Sequence, residues 1–407
     1  MAPRPVLLLL SRLLPLLLSV SFAATVGAAP SQCVATGQWL KLGDKQPMSN
    51  PAALHYMNDH SVLLLGEHHD NVEHHRWQLQ VLAGLYALRP DLAIGFEMFP
   101  RQVQPALDQW IAGKLSEREF LKKTNWYGNW SFDPDYYMPL FDFARVNHIP
   151  MIALNISHRL FEEVQAKGWD KVPVEDREGV SDPAPPPKPY LDMLAGSFIQ
   201  HHAGAQAPQD EKREDFSPKE KEDFKRFVQG QQLWDRAMAQ KLAEAAKRDH
   251  APLIIGIMGS GHMMNGFGVP HQLADLGVRD AATVVPWDEE RSCEDLTPDF
   301  ASAVFGLEAV VSTEEPAKPR LGIYLEPHDK SVRVAKVVED SVAEKAGISQ
   351  GDVIVALAGT RVSNMSEVVG LVQKMVPGTW LPVSILRDGK QMEMIAKFPA
   401  SGPVDGR

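Results

Sequence analysis

Four short runs of almost wholly apolar residues punctuate the first 260 positions: Val62-Leu63-Leu64-Leu65, Leu92-Ala93-Ile94-Gly95-Phe96, Met151-Ile152-Ala153-Leu154 and Leu253-Ile254-Ile255-Gly256-Ile257. Each is strand length, and a strand apolar on both faces needs cover on both. Helical patterns lie between them. Asp70 and Glu73 make a capping-box pattern, after which His75, Leu79, Leu82 and Tyr86 share a helical face. Residues 105–110 and 117–123, a stretch ending near Asn147, and residues 221–248 read as further helices. Alternating strands and helices predict an α/β domain whose mainly parallel sheet has helices on both faces. Residues 171–189 and 203–222 are rich in proline and charge, and predict a helical or irregular cap.

The chain has 407 residues, 44% of them hydrophobic, enough for two cores. Arg4 and Arg12 precede an apolar run over 13–22 and small residues ending at Ala28, the pattern of a leader cleaved there, so a periplasmic or secreted protein is expected. Arg12 and Pro15 break the run short of the roughly 20 residues a membrane span needs. Loss of residues 1–28 would move the net charge from −11 to −13, and no nucleic-acid partner is implied. Cys33 and Cys293 are the only cysteines, and the sequence leaves open whether they pair or stay as thiols. Glu314, Glu315, Pro316 and Pro319 mark a linker. The expected organisation is a leader over 1–28, a first domain over 36–310, a linker over 311–319 and a second domain over 320–398.

Six of the 14 histidines, His55, His60, His68, His69, His74 and His75, crowd the neighbourhood of the first apolar run. In an open parallel sheet, ligands bind at the carboxyl ends of strands. Those ends here carry Gly66-Glu67-His68-His69, Glu97-Met98-Phe99 and Gly259-Ser260-Gly261-His262. The spacing Gly-x-x-His occurs twice, and its glycines would permit turns that a Cβ obstructs. Two imidazoles, of His69 and His262, converging with the carboxylates of Glu67 and Glu97 would suit a divalent metal, or a catalytic general base beside one.

These residues carry a resemblance. Leu64-Leu65-Gly66-Glu67-His68-His69-Asp70-Asn71, His74-His75-Arg76, Phe96-Glu97-Met98, Asn155 and Gly261-His262 with Gly268-Val269-Pro270 are similar to the ChaN-like haem-binding proteins. That family groups with the Tiki-type proteins and, more distantly, erythromycin esterases, and implies the α/β fold read above. Its ChaN branch implies haem bound at a homodimer interface through a tyrosine, with a role in iron acquisition. Tyr137, in Tyr136-Tyr137-Met138-Pro139-Leu140, is the candidate tyrosine, and His68, His69 and His262 are further candidates to face the haem. The Tiki branch implies a metal-dependent hydrolase, with the role falling on His69, Glu97 and His262.

From Arg320 the pattern changes. Arg320-Leu321-Gly322-Ile323-Tyr324, the segment 340–347 and Gly351-Asp352-Val353-Ile354 resemble a β-rich PDZ domain of the envelope-protease type. Leu321, Gly322 and Ile323 would present amides to a peptide carboxylate, and the strand through Leu325 would take up a C-terminal or extended peptide of an envelope protein by β-augmentation. Ser260 lacks the glycine that a nucleophile elbow places two residues on, because His262 stands there. Two readings result: an exported haem or iron carrier docked by its PDZ domain, which we prefer, and a hydrolase whose PDZ domain recruits substrate.

Overall fold

The first domain opens with a hairpin of β1 (Trp39–Lys41) and β2 (Gln46–Met48), then helix α1 (Asn50–Asn58). The four apolar runs follow as β3 (Val62–Glu67), β4 (Leu92–Pro100), β5 (Met151–Asn155) and β6 (Leu253–Gly259). Two strands not singled out from the sequence, β7 (Ala281–Trp287) and β8 (Ala303–Gly306), complete the sheet. Its order is β2-β1-β8-β7-β3-β6-β4-β5. All pairings from β8 through β5 are parallel, and the β1–β2 hairpin joins antiparallel at the β8 edge. Every residue of β3, β4 and β6 is buried, as expected for strands covered on both faces. The computed structural model describes residues 33–130, 132–203, 216–288, 292–309, 319–329 and 331–400; the expected leader and almost all of the expected linker lie outside them.

Helices α2 (Val72–Leu88), α3 (Gln104–Ile111), α4 (Glu117–Lys123), α5 (Trp126–Asn129), α6 (Pro134–Val146), α7 (His158–Lys167), α8 (Lys188–Ala203), α9 (Pro218–Ala246) and α10 (Val269–Asp275) cover the sheet. The capping box expected at Asp70 is corrected: Asn71 caps α2, accepting from the Glu73 amide. The inward face of α2 is likewise rotated, with His74, His75, Trp77, Gln78, Val81, Leu82 and Leu85 buried. A large aromatic core gathers Phe96, Phe99, Trp110, Phe120, Trp126, Tyr137 and Phe141 on one side of the sheet. A smaller cluster including Leu160, Val164, Trp169 and Leu233 lies under α7 and α9.

The second domain is antiparallel. Strands β9 (Ile323–His328), β10 (Ser331–Val337), β11 (Val353–Leu357), β12 (Thr360–Arg361), β13 (Trp380–Arg387) and β14 (Lys390–Lys397) form a sheet ordered β14-β13-β11-β10-β9, with β12 on β11. The helices are α11 (Val342–Lys345) and α12 (Met365–Gln373). Strand β9 ends that path and has a free edge among the described residues. Cys33 and Cys293 are both disulfide-bonded, which removes the free-thiol alternative. Among the described residues, no helix is long and apolar enough to cross a membrane.

Candidate functional site

Parallel pairing of β3 with β6 sets Glu67 beside Gly259, so the two Gly-x-x-His segments leave the sheet side by side. Each glycine makes room for the other segment. A Cβ on Gly66 would lie 2.6 Å from Ser260 Oγ, and one on Gly259 would lie 2.9 Å from His69 Cε1 and 3.7 Å from Glu97 Oε2. Neither glycine has a positive φ, so the expected turn is corrected to close approach between neighbouring strand ends.

Glu67 is 1% exposed and saturated with donors. Its Oε1 accepts from His69 Nδ1 at 2.9 Å and Tyr137 Oη at 2.8 Å, and its Oε2 from Gln78 Nε2 at 3.0 Å. His75 Nδ1 lies 3.3 Å from Oε2. Burial works to raise the Glu67 pKa, but the hydrogen bonds from His69 and His75 and their fields hold it far below the carboxylate range.

Across Gly259 lies a second chain of polar groups. Glu97 Oε2 accepts from the Gly259 amide at 2.6 Å, and Oε1 is 3.3 Å from His262 Nε2. His262 Nδ1 donates to Asp235 Oδ1 at 2.6 Å, and Tyr190 Oη donates to Asp235 Oδ2 at 2.6 Å. Burial opposes charge on His262, yet Glu97 and Asp235 outweigh it and push its pKa up to about 10. Glu97 is lowered in turn, burial being overcome chiefly by His262.

His69 stands between the two chains. Its ring packs edge-on against Trp130 at 4.7 Å and lies 5.0 Å from Phe132, with 27% of the side chain exposed. Burial lowers its pKa, but the Glu67 hydrogen bond and the charges of Glu97 and Glu67 raise it overall.

The structure thus brings Glu67, His69, Glu97 and His262 together. His68 is exposed, its amide donating to His74 Nδ1, and its ring lies 5.2 Å from that of His74. His60 instead pairs with Asp280. Tyr137 is fully buried, and its hydroxyl donates to Glu67. Burial and the Glu67 charge push its pKa well up, which disfavours the tyrosinate expected of an iron ligand. Among the described residues, no three His, Cys, Asp or Glu side chains are disposed around one metal ion. The reason is visible at His262, where both ring nitrogens face carboxylates. Ser260 is buried against Gly66, and its hydroxyl is unpartnered.

Sequence reasoning missed Asp235, Tyr190 and Gln78. The one available signal was Asp235 itself, a charge on the buried face of α9, seven residues from both Val228 and Leu242.

In the second domain, Leu321 is buried and Gly322 has φ +76°, where a Cβ would strike Ser341. The carbonyls of Leu321 and Gly322 accept from the Ala343 and Val338 amides, fixing the loop that enters β9.

A family model described as haem-binding uptake, Tiki superfamily, ChaN matches residues 53–273, and a PDZ model matches residues 319–397. A solved structure, cofacial heme binding to ChaN of Campylobacter jejuni, is 17% identical, covering 66% of this chain and 95% of that one at a TM-score of 0.49. A probable periplasmic serine endoprotease, DegP-like, of Chlamydia trachomatis is 33% identical over 100 residues, 22% of this chain and 20% of that protein. The serine endoprotease from Yersinia pestis is 29% identical over 20% of this chain and 29% of that one, with a TM-score of 0.19. The chain spans about a fifth of the length of the curated relatives it matches. With its ChaN model covering more than half of the sequence, the chain belongs to the haem-binding uptake family of the Tiki superfamily and carries a PDZ domain behind it.

Proposed function

We propose that the first domain binds ferric haem beside His69, and that the PDZ domain docks the protein to a C-terminal or extended peptide of an envelope protein. The setting would be haem or iron acquisition outside the cytoplasm, after removal of residues 1–28. The observation that carries this reading is the Glu67–His69 pair with its aromatic flank. An imidazole whose Nδ1–H is fixed by a buried carboxylate has its tautomer and orientation set, with Nε2 left as a more basic donor. Trp130 and Phe132 beside the ring offer apolar surface of the kind a porphyrin packs on. The donor set therefore fits haem through His69 rather than Tyr137. Haem would supply an iron centre whose properties follow from its axial ligand and surroundings. Glu67 would hold His69 in place, and Gln78 and Tyr137 would hold Glu67.

Purified protein titrated with ferric haem under visible spectroscopy, with elemental analysis of the untreated sample, tests this. Saturable binding lost in His69→Ala and retained in Tyr137→Phe is expected. Unsaturable uptake, or an unchanged spectrum in His69→Ala, overturns it.

A second reading is favoured by the facing of two carboxylate-held histidines, His69 with Glu67 and His262 with Asp235 and Glu97. Such a pair would suit a metal-assisted peptidase or esterase, with the PDZ domain recruiting substrate, only once a metal ion displaced the Glu97 contact at His262 Nε2. Stoichiometric bound metal and hydrolysis abolished by Glu97→Gln, with haem uptake unchanged, would move the assignment there.

A further inference from the structure

Helix α12 of the PDZ domain has three differently placed sides. Val368 and Val372 are buried in the PDZ core, while Met365 and Val369 remain exposed. On a third side, Glu367, Leu371 and Lys374 line a cleft of about 670 Å³ shared with Leu121, Trp126 and Tyr127 of the first domain. Both domains belong to one compact unit.

The contact at this cleft is unusually close. Gly370 lies in the middle of α12, and a Cβ there would come 2.8 Å from Tyr127 Cζ and nearer still to Cδ1 and Cε1. The tyrosine ring therefore rests directly on helix backbone, a position open to glycine alone. One turn on, Lys374 Nζ pairs with Asp135 Oδ1 at 2.7 Å. Asp135 stands two residues before Tyr137 on α6. One PDZ helix thus grips both α5 and the start of α6.

Those two elements wall the site. On α5, Trp126 follows the Asn125 cap at φ +48°, is 1% exposed, and packs 5.4 Å from Tyr137. Trp130, whose amide donates to the Trp126 carbonyl at 2.7 Å, is the ring against His69. Gly370 is thus connected to His69 through Tyr127 and its chain neighbour Trp126, the backbone hydrogen bond from Trp130 to Trp126, the packing of both indoles on Tyr137, and the Trp130 ring against His69.

We infer that the PDZ domain acts on the first-domain site through Tyr127 seated on Gly370, so that occupancy of the peptide groove beside α12 is linked to the placing of Trp130 at His69. The role of that site rests on the reading above; the linkage does not. A ligand pressed between β9 and the exposed Met365 and Val369 side of α12 shifts a helix whose other side carries Tyr127. By reciprocity, a ligand whose affinity beside His69 is changed by bound peptide changes peptide affinity by the same factor.

The test uses the full chain without haem, so its failure is separate from failure of the haem reading. Indole signals of the nine tryptophans, with Trp130 assigned through Trp130→Phe, are compared in the wild type and Gly370→Leu, alongside hydrogen exchange of residues 126–130. Leucine is a better helix former than glycine, so α12 itself is not weakened. The expected result is a shifted Trp130 signal and at least tenfold faster exchange at Asn129 and Trp130, with β11 protection unchanged. Tyr127→Ala should reproduce it from the other side. For the groove, Val369→Cys is labelled with a bulky maleimide; the native cysteines are disulfide-bonded, so the new thiol alone reacts. A Trp130 shift on labelling supports the linkage. An unmoved signal in Gly370→Leu overturns the docking, and an unmoved signal after groove labelling overturns the linkage.

Discussion

At the scale of single residues, the site is a balance of buried charges. His262 binds its proton more tightly in the folded chain, with a pKa of about 10, than at its ordinary 6.5. The stabilisation this gives is complete below pH 6.5 and is lost as pH rises through about 10. Stability is therefore expected to decline between pH 7 and 10, by at most about 1.4 kcal/mol per pH unit for this one proton. Asp235→Asn removes one of the two carboxylates behind the shift, and should flatten that decline in urea unfolding followed across the range. Tyr137→Phe removes one of several donors on Glu67, which keeps His69 and Gln78. A loss of only about 0.5–1.5 kcal/mol is expected, measured by chemical denaturation. Glu67, His69, Glu97 and His262 were legible in the sequence because they directly follow apolar runs, where a parallel sheet opens to ligands. Asp235 and Tyr190 were not, since they reach His262 only once α8 and α9 cross the sheet ends, and local spacing encodes no crossing. Tyr137 shows the converse: its motif is local, but its burial is decided by α5 and α6 folding over it.

Among elements, strand register explains what periodicity alone could not. The apolar runs mark four strands, but β7 escaped notice despite six buried residues, and β1, β2 and β8 are three or four residues long. The Gly-x-x-His segments make sense only after β3 is seen lying in parallel beside β6. Gly66→Ala should cost about 1–3 kcal/mol by driving a methyl into Ser260 Oγ. Ser260→Gly should recover most of that loss in the double variant, as a thermal double-mutant cycle would read. Ser260→Ala alone is expected to be neutral or slightly stabilising, because the buried hydroxyl it removes has no partner. A deeper loss in the double variant than in Gly66→Ala would contradict the close-approach account.

For the whole molecule, the two domains were separable in the sequence by their change of pattern, while the grip of α12 on α5 was not. Gly370 is an ordinary residue in an apolar stretch until Tyr127, 243 positions earlier, is set against it. Cutting the chain after residue 309 should leave the eight-stranded sheet intact, with circular dichroism and cooperative unfolding retained, although Tyr127 would become exposed. Cutting before Ala303 removes β8, and with it the partner of both β7 and β1; cooperative unfolding should then be lost. The same pairing has a consequence for the order of assembly. As the chain is synthesised, Trp39 to Lys41 can pair with Gln46 to Met48 almost at once, yet the strand that joins this hairpin to the sheet arrives some 260 residues later. The hairpin must wait, its edge unmet, while the centre of the sheet forms. Closure of the first domain is then a late event, made by its beginning and its end together, and until it happens the nascent chain remains open.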